Sequence, residues 1–201
     1  FVTAFFAKTK EGAGFEVTDR SDFIWDVLVT DGDFGPDGCF YLTDWVNGWN
    51  LTGKGRIYRV FDPETRNSPL VLETKKLIAE GFDQRSSDEL AKLLAHADQR
   101  VRQEAQFSLA AKGAGSIKTF AGVLSGNQQL ARLHAVWGLG QIARTTPIAV
   151  NALLPLLGDA DAEVRSQAAK TLGESKRGKQ NQSIEPRLLT SATVRMLPMT
   201  P

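Results

Sequence analysis

The sequence predicts an α+β chain in two modules: an antiparallel β sheet over residues 1–62, then an α-solenoid of helical hairpins over 86–174. Three observations carry the prediction. Residues 31–45, Asp-Gly-Asp-Phe-Gly-Pro-Asp-Gly-Cys-Phe-Tyr-Leu-Thr-Asp-Trp, read as strand, tight turn and strand. From Ser86 onward the apolar spacing changes from a period of about 2 to one of about 3.6 residues. A helix pair is then present in three copies, at offsets of 30 and 33 residues.

The β module is rich in glycine, aromatic and β-branched residues. Strands are expected near Val2–Ala7, Phe15–Thr18, Trp25–Phe34, Cys39–Trp45 and Arg56–Phe61, which is one four-stranded sheet with a spare strand. Gly35-Pro36-Asp37-Gly38 fits a type I turn: proline presets φ, Asp37 bonds the local backbone, and Gly38 lets the chain re-enter a strand. Asp44-Trp45 closes that strand with a carboxylate and an indole. Gly32 is an oddity where a β-branched residue suits a strand better. So small a sheet leaves open edges and an unburied face, and the segment is expected to complete a larger β structure. A strand opening at Phe1 with no visible beginning likewise predicts a piece of something longer.

Residues 62–70, Asp-Pro-Glu-Thr-Arg-Asn-Ser-Pro-Leu, read as a polar linker, which is taken to extend over 63–85. Ser86-Ser87-Asp88-Glu89 is a capping box opening a helix over 87–95. In the second helices Val101-Arg102, Ala105 and Leu109 match Ala131-Arg132, Ala135 and Leu139, then Val164-Arg165, Ala168 and Leu172. In the first helices Leu90/Leu94, Phe120/Leu124 and Leu153/Leu157 keep the same register. The recurring alanines are small enough for close helix approach, and the larger apolar positions make the buried stripe. Asp98 and Asp161 sit where a carboxylate caps a helix N-terminus; Gln128 takes that place in the second repeat as a weaker cap. Arg102, Arg132 and Arg165 form either a ladder to capping carboxylates and turn carbonyls between repeats or a basic stripe for an anionic partner. The repeat is lost after Gly173. Residues 175–201 form a basic tail, in which Pro186 to Met196 is a possible helix covering the open end of the repeats.

Composition narrows the function. The net charge of +1 gives no argument for nucleic acid or acidic membranes, and no apolar run is long enough for a transmembrane segment. Cys39 is the only cysteine, which excludes an intrachain disulfide and a thiolate cluster; its strand position suits a small buried hydrophobe. His96 and His134 lack metal-ligand spacing and read as structural or solvated.

The motif Asp98-x-x-Val101-Arg102-x-x-Ala105-x-x-x-Leu109, with its later copies, resembles bacterial HEAT-type repeats. Residues 1–62 resemble the end of a β-propeller of the glucose/sorbosone dehydrogenase-like quinoprotein class, through Asp33-Phe34-Gly35-Pro36-Asp37-Gly38, Tyr41, Asp44-Trp45, Gly48-Trp49 and Gly53-Lys54-Gly55-Arg56-Ile57-Tyr58-Arg59. The order of the two pieces is similar to membrane-bound dehydrogenase-like proteins of planctomycete type. The resemblance implies a fragment of an exported or periplasmic sugar or alcohol dehydrogenase-like protein. Its HEAT repeats would dock a protein partner or neighbouring domain, and its strands would join upstream propeller blades. Pyrroloquinoline quinone and calcium would belong to the full-length parent. No cofactor is implied in this chain, and the Cys-x-x-Cys-His haem motif is missing from it. The residues themselves equally allow a non-catalytic scaffold binding proteins or glycans.

No catalytic or cofactor-binding residue is identified, since no Ser/His/Asp or Cys/His constellation can be assembled. Asp31, Asp33, Asp37 and Asp44 cluster near one turn, where hard oxygen ligands would suit Ca²⁺, but the spacing is no EF-hand and turn aspartates are common. Trp25, Trp45 and Trp49 with Tyr41 and Tyr58 are either a sugar-stacking platform or packing residues. Asn50-Leu51-Thr52 is a glycosylation sequon, and Gly53-Lys54-Gly55 is too short for a phosphate loop.

Overall fold

The computed structural model of the chain describes residues 2–9, 15–46 and 53–177. It divides into two compact units, Phe1–Ala105 and Gln106–Pro201. In the first unit β1 (Val2–Thr9) and β2 (Phe15–Ile24) pair antiparallel, from Val2↔Ile24 to Thr9↔Phe15. A second antiparallel sheet has the order β3 (Val29–Phe34), β4 (Phe40–Asp44), β5 (Arg56–Val60). The strands therefore split as two and three, where the sequence predicts four and a spare.

The split occurs at Trp25–Leu28, expected to be strand. Asp26 takes a φ of 55°, which breaks an extended run. The Asp44 carboxylate then draws the Leu28 N–H (3.0 Å) and the Val46 N–H (3.1 Å) onto Oδ1. Asp44 is buried, so the strand-closing role expected of it is performed by a side chain substituting for ladder carbonyls.

The β3–β4 turn forms as expected. The Gly38 N–H donates to the Gly35 carbonyl (3.2 Å) and the Gly35 N–H to the Cys39 carbonyl (2.8 Å). Gly38 has a φ of 73°, the left-handed residue that closes a type I turn into a hairpin. Asp37 accepts from the Cys39 N–H (3.3 Å) and the Tyr41 hydroxyl (3.0 Å). The Phe40 ring lies across Gly32, where a Cβ would stand 2.7 Å from Cζ; that accounts for the glycine. On the same face Phe23 of β2 meets Phe40 edge-on at 6.2 Å.

The segment expected as linker is helical: α1 is Pro63–Arg66 and α2 is Pro69–Glu80. Asp62 and Ser68 are N-caps that accept from the Thr65 and Val71 N–H groups, and each is followed by a proline at the first helical position. Proline is favoured there because its missing N–H would have no intrahelical partner. The prolines that suggest a linker are helix starts.

The hairpins follow. The capping box of α3 (Ser87–Leu93) is present in both directions, Ser86 N–H to Glu89 Oε2 at 2.9 Å and Glu89 N–H to Ser86 Oγ at 3.2 Å. The first unit ends within α4 (Gln99–Ala111). In the second unit come a 3-10 turn at Gly113–Ser116, α5 (Ile117–Leu124), α6 (Gln129–Ala143), a 3-10 segment at Pro147–Gly158 and α7 (Ala162–Arg177). The first element of the last hairpin is thus a 3-10 helix. Pro155 inside it has no N–H to give the carbonyl four residues back. α6 packs on α5 within its hairpin and on both the 3-10 segment and α7 of the next. The alanines expected at close approaches, Ala105, Ala135 and Ala168, are fully buried. The closest approach is at Gly138, against the Phe120 ring: a Cβ there would lie 2.3 Å from Cζ. The basic tail expected over 175–201, with its covering helix, falls outside the described residues beyond Arg177.

Gly138→Ala is expected to lower stability by about 1–3 kcal/mol through overpacking, read as a lower urea midpoint. Adding Phe120→Leu on that background should recover part of the loss. An unchanged midpoint in the single variant would contradict a rigid α5–α6 contact.

Candidate functional site

Each hairpin is organised around the arginine that recurs on its second helix. Arg102 Nη1 donates to the carbonyls of His96 and Ala97, both at 2.7 Å. Arg165 Nη1 donates to those of Asp159 (2.6 Å) and Ala160 (3.0 Å). Arg132 Nε donates to the Leu124 carbonyl (3.0 Å), and its Nη2 meets Asp159. Helix C-termini leave carbonyls without intrahelical partners, and a charged donor held by the next helix satisfies them. Arg102 is 7% exposed, and burial draws its guanidinium below the usual value against the opposing effect of Asp98. The arginines form the ladder, not a free basic stripe. The carbonyl bonds of Arg102 and Arg165 lie within their own turns, whereas Arg132 also reaches the next hairpin.

The caps lie beside these clamps. Asp161 Oδ1 accepts from the Glu163 (2.9 Å) and Val164 (3.2 Å) N–H groups at the start of α7, and Oδ2 accepts from Gln129 Nε2 at 2.7 Å. Asp98 accepts from the Arg100 N–H (2.8 Å) and its guanidinium. Gln128 makes no side-chain cap bond, as its weaker chemistry suggests. His96 Nδ1 accepts from the Asp98 N–H (3.0 Å), a structural role.

Sequence reasoning missed a second polar row inside the second unit. His134 is buried, shares a 2.7 Å hydrogen bond from Nδ1 to Gln106 Oε1, and meets the Trp137 ring edge-on. Trp137 Nε1 donates to Gln167 Oε1 (3.0 Å), and Gln167 Nε2 to Glu163 Oε1 (2.8 Å). The available signal is a histidine within the apolar run Leu133-His134-Ala135-Val136, which needs a buried partner. At one repeat position the second helices carry Phe107, Trp137 and Lys170. Phe107 is 41% exposed, Trp137 half-buried and Lys170 exposed.

The candidates of the β module do not assemble. Asp31 and Asp33 each accept from the next backbone N–H, Asp37 holds the turn, and Asp44 holds the strand end. Among the described residues no three His, Cys, Asp or Glu side chains come together as a metal site. Of the aromatic set, Trp25 lines an open cleft with Asp26, Leu28, Lys54 and Arg56. Tyr41 is tied to Asp37, and Tyr58 accepts from Arg56. Trp49 and Asn50–Thr52 lie outside the described residues. Cys39 is fully buried, and burial followed by the Asp37 hydrogen bond pushes its thiol up, away from reactivity. Among the described residues no helix is long and apolar enough to cross a membrane.

Residues 87–173 and 117–195 match the family model of HEAT repeats, together more than half of the chain. The match passes Gly173, where the regular spacing is read as lost. No curated protein and no solved structure matches the chain.

Asp161→Ala removes a cap and an inter-hairpin tether, with an expected loss of about 1–2 kcal/mol in chemical denaturation. The pH response has a definite sign. Asp98 is held below the ordinary carboxylate range by the Arg100 guanidinium, and Glu89 by the Ser86 hydroxyl. For Asp159 and Asp161 burial pushes upward but is outweighed, by the Asp161 N–H and Arg132 in one case and by Gln129 and the α7 N–H groups in the other. Each group binds its proton more weakly when folded, so its stabilisation is complete above about pH 4–5 and is lost as pH falls below the ordinary carboxylate range. The thermal midpoint should fall on acidification through that range. A midpoint that rises there would contradict the assignment.

Proposed function

The chain belongs to the HEAT-repeat family, and from that premise we propose that it is a non-catalytic scaffold whose repeats hold a protein partner. The observation that carries the reading is the row Phe107, Trp137 and Lys170, presented at one repeat position. Aromatic residues dominate the energetics of protein contacts, and a rigidly held indole costs little entropy on binding. Trp137 is held in that way by Gln167 and His134, leaving the part of its surface that is exposed for a partner. Lys170 adds a cation at the end of the row. This favours a partner surface that is apolar with an acidic margin.

A second reading, the end of a quinoprotein dehydrogenase-like propeller, rests on the sequence resemblance of residues 1–62 alone; the antiparallel meander β3-β4-β5 is compatible with it. In that reading the protein is exported, and pyrroloquinoline quinone and calcium belong to blades outside these residues. Dye reduction with aldoses, in the presence of both, would favour it.

The scaffold reading is tested by placing a photo-crosslinking amino acid at Phe107 or, as a control, at Lys118 on α5. Crosslinks in extracts should form to one defined protein from position 107 and not from 118. Phe107→Ala with Lys170→Glu should weaken retention of that protein by about tenfold or more, the scale of a contact hot spot, with the circular dichroism unchanged. Equal crosslinking from both positions would overturn the reading.

A further inference from the structure

The two free edges of the three-stranded sheet are chemically different. The Gly35 N–H donates to the Cys39 carbonyl, so the odd-numbered residues of β3 and β4 face each other across their ladder. The even-numbered backbone groups of β3 therefore point outward, and three of them are already taken. The Gly32 N–H donates to Asp31 Oδ1 (2.8 Å) and the Phe34 N–H to Asp33 Oδ1 (2.7 Å). The Phe34 carbonyl accepts from Arg100 Nη1 (2.6 Å), within the same compact unit. Two of the outward donors and one acceptor of this edge are spent, which hinders strand addition there.

Among the described residues the opposite edge has no such protection. In β4 the even-numbered residues face β5, with Phe40↔Val60, Leu42↔Tyr58 and Asp44↔Arg56 as pairs. Ile57 and Arg59 therefore turn their backbone groups outward, and among the described residues no backbone group bonds them there. Ile57 is 74% exposed. From Gly53 to Phe61 the chain carries Lys54, Arg56 and Arg59 and no acidic residue. Arg56 leans along the strand to the Tyr58 hydroxyl (3.0 Å), and Arg59 lies over the Phe61 ring at 5.4 Å. The two cations lie on opposite faces of the sheet, Arg59 bonded to the Tyr41 side chain of β4 and Arg56 across from Asp44.

The geometry points to the β5 edge as a docking site for an extended, acidic segment of a partner protein, added as a further strand. The outward groups of Ile57 and Arg59 supply main-chain hydrogen bonds. Carboxylates on the incoming strand meet Arg59 on one face and Arg56 on the other, and a β-branched residue covers Ile57. Charge selects the occupant. A second copy pairing through its own β5 would line up Lys54, Arg56 and Arg59 of both chains along one seam, which like-charge repulsion disfavours. This site is separate from the helical row and does not rest on it.

The test uses the whole chain and a short fluorescent peptide of alternating valine and glutamate, read by anisotropy. Saturable binding is expected. It should weaken by about tenfold or more when lysine replaces glutamate, and again when alternate peptide nitrogens are methylated, since both strand pairing and charge are required. Ile57→Pro removes only an outward donor, a substitution that edge strands accommodate, and should abolish binding. Lys118→Ala, on α5, should leave it unchanged. If Ile57→Pro fails to fold, the methylated peptide decides alone. The proposal is overturned if the valine–glutamate peptide does not bind, if methylation has no effect, or if folded Ile57→Pro binds as tightly as the parent. A dimer competed away by the peptide and lost with Ile57→Pro would place a second copy on the edge, and would overturn it equally.

Discussion

A helical hairpin has to satisfy the carbonyls at the end of its first helix before its second can pack. In this chain the arginine four residues after each cap position does so. Arg102 and Arg165 each hold two turn carbonyls, and Arg132 holds one together with Asp159 of the following hairpin. A guanidinium suits this because its donors fan out in one plane and it stays charged when partly buried. The fixed turn sets the spacing between helices. Ala105, Ala135 and Ala168, and the contact of Gly138 with Phe120, then become buried positions with no room to spare.

The features legible in the sequence are those whose partners are close along the chain or recur at a fixed offset. The Ser86–Glu89 box and the Gly35–Gly38 turn are local, and the arginine row repeats three times. The failures have physical causes as well. Pro63 and Pro69 read as linker residues, yet with Asp62 and Ser68 ahead of them they start helices. Trp25–Leu28 reads as strand because three of its four residues are aromatic, β-branched or aliphatic. What bends it away is the carboxylate of Asp44, sixteen residues on from Leu28, which no window around the segment contains. The Gln106–His134 and Trp137–Gln167 pairs are each about one repeat apart. They become visible only once the register is known.

The two modules use carboxylates alike. Asp31, Asp33, Asp37 and Asp44 in the sheet, like Asp98 and Asp161 in the hairpins, each accept a backbone N–H group on Oδ1. A cluster of aspartates that suggests a cation site from sequence spacing is therefore a set of backbone caps. The surfaces left for recognition are elsewhere: a helical row of two aromatics and a lysine, and a basic sheet edge with two residues' main-chain groups facing outward.

The central claim is that the hairpins depend on arginine bonding to turn carbonyls. The most direct measurement is the unfolding free energy of Arg102→Met, which keeps the apolar stem and removes the donors. Two charge-assisted hydrogen bonds to partly buried carbonyls are lost, and a drop of about 2–4 kcal/mol is expected. Amide exchange should be faster in α3 and at the start of α4. A variant within about 0.5 kcal/mol of the parent, the scale of an ordinary surface substitution, would contradict the account.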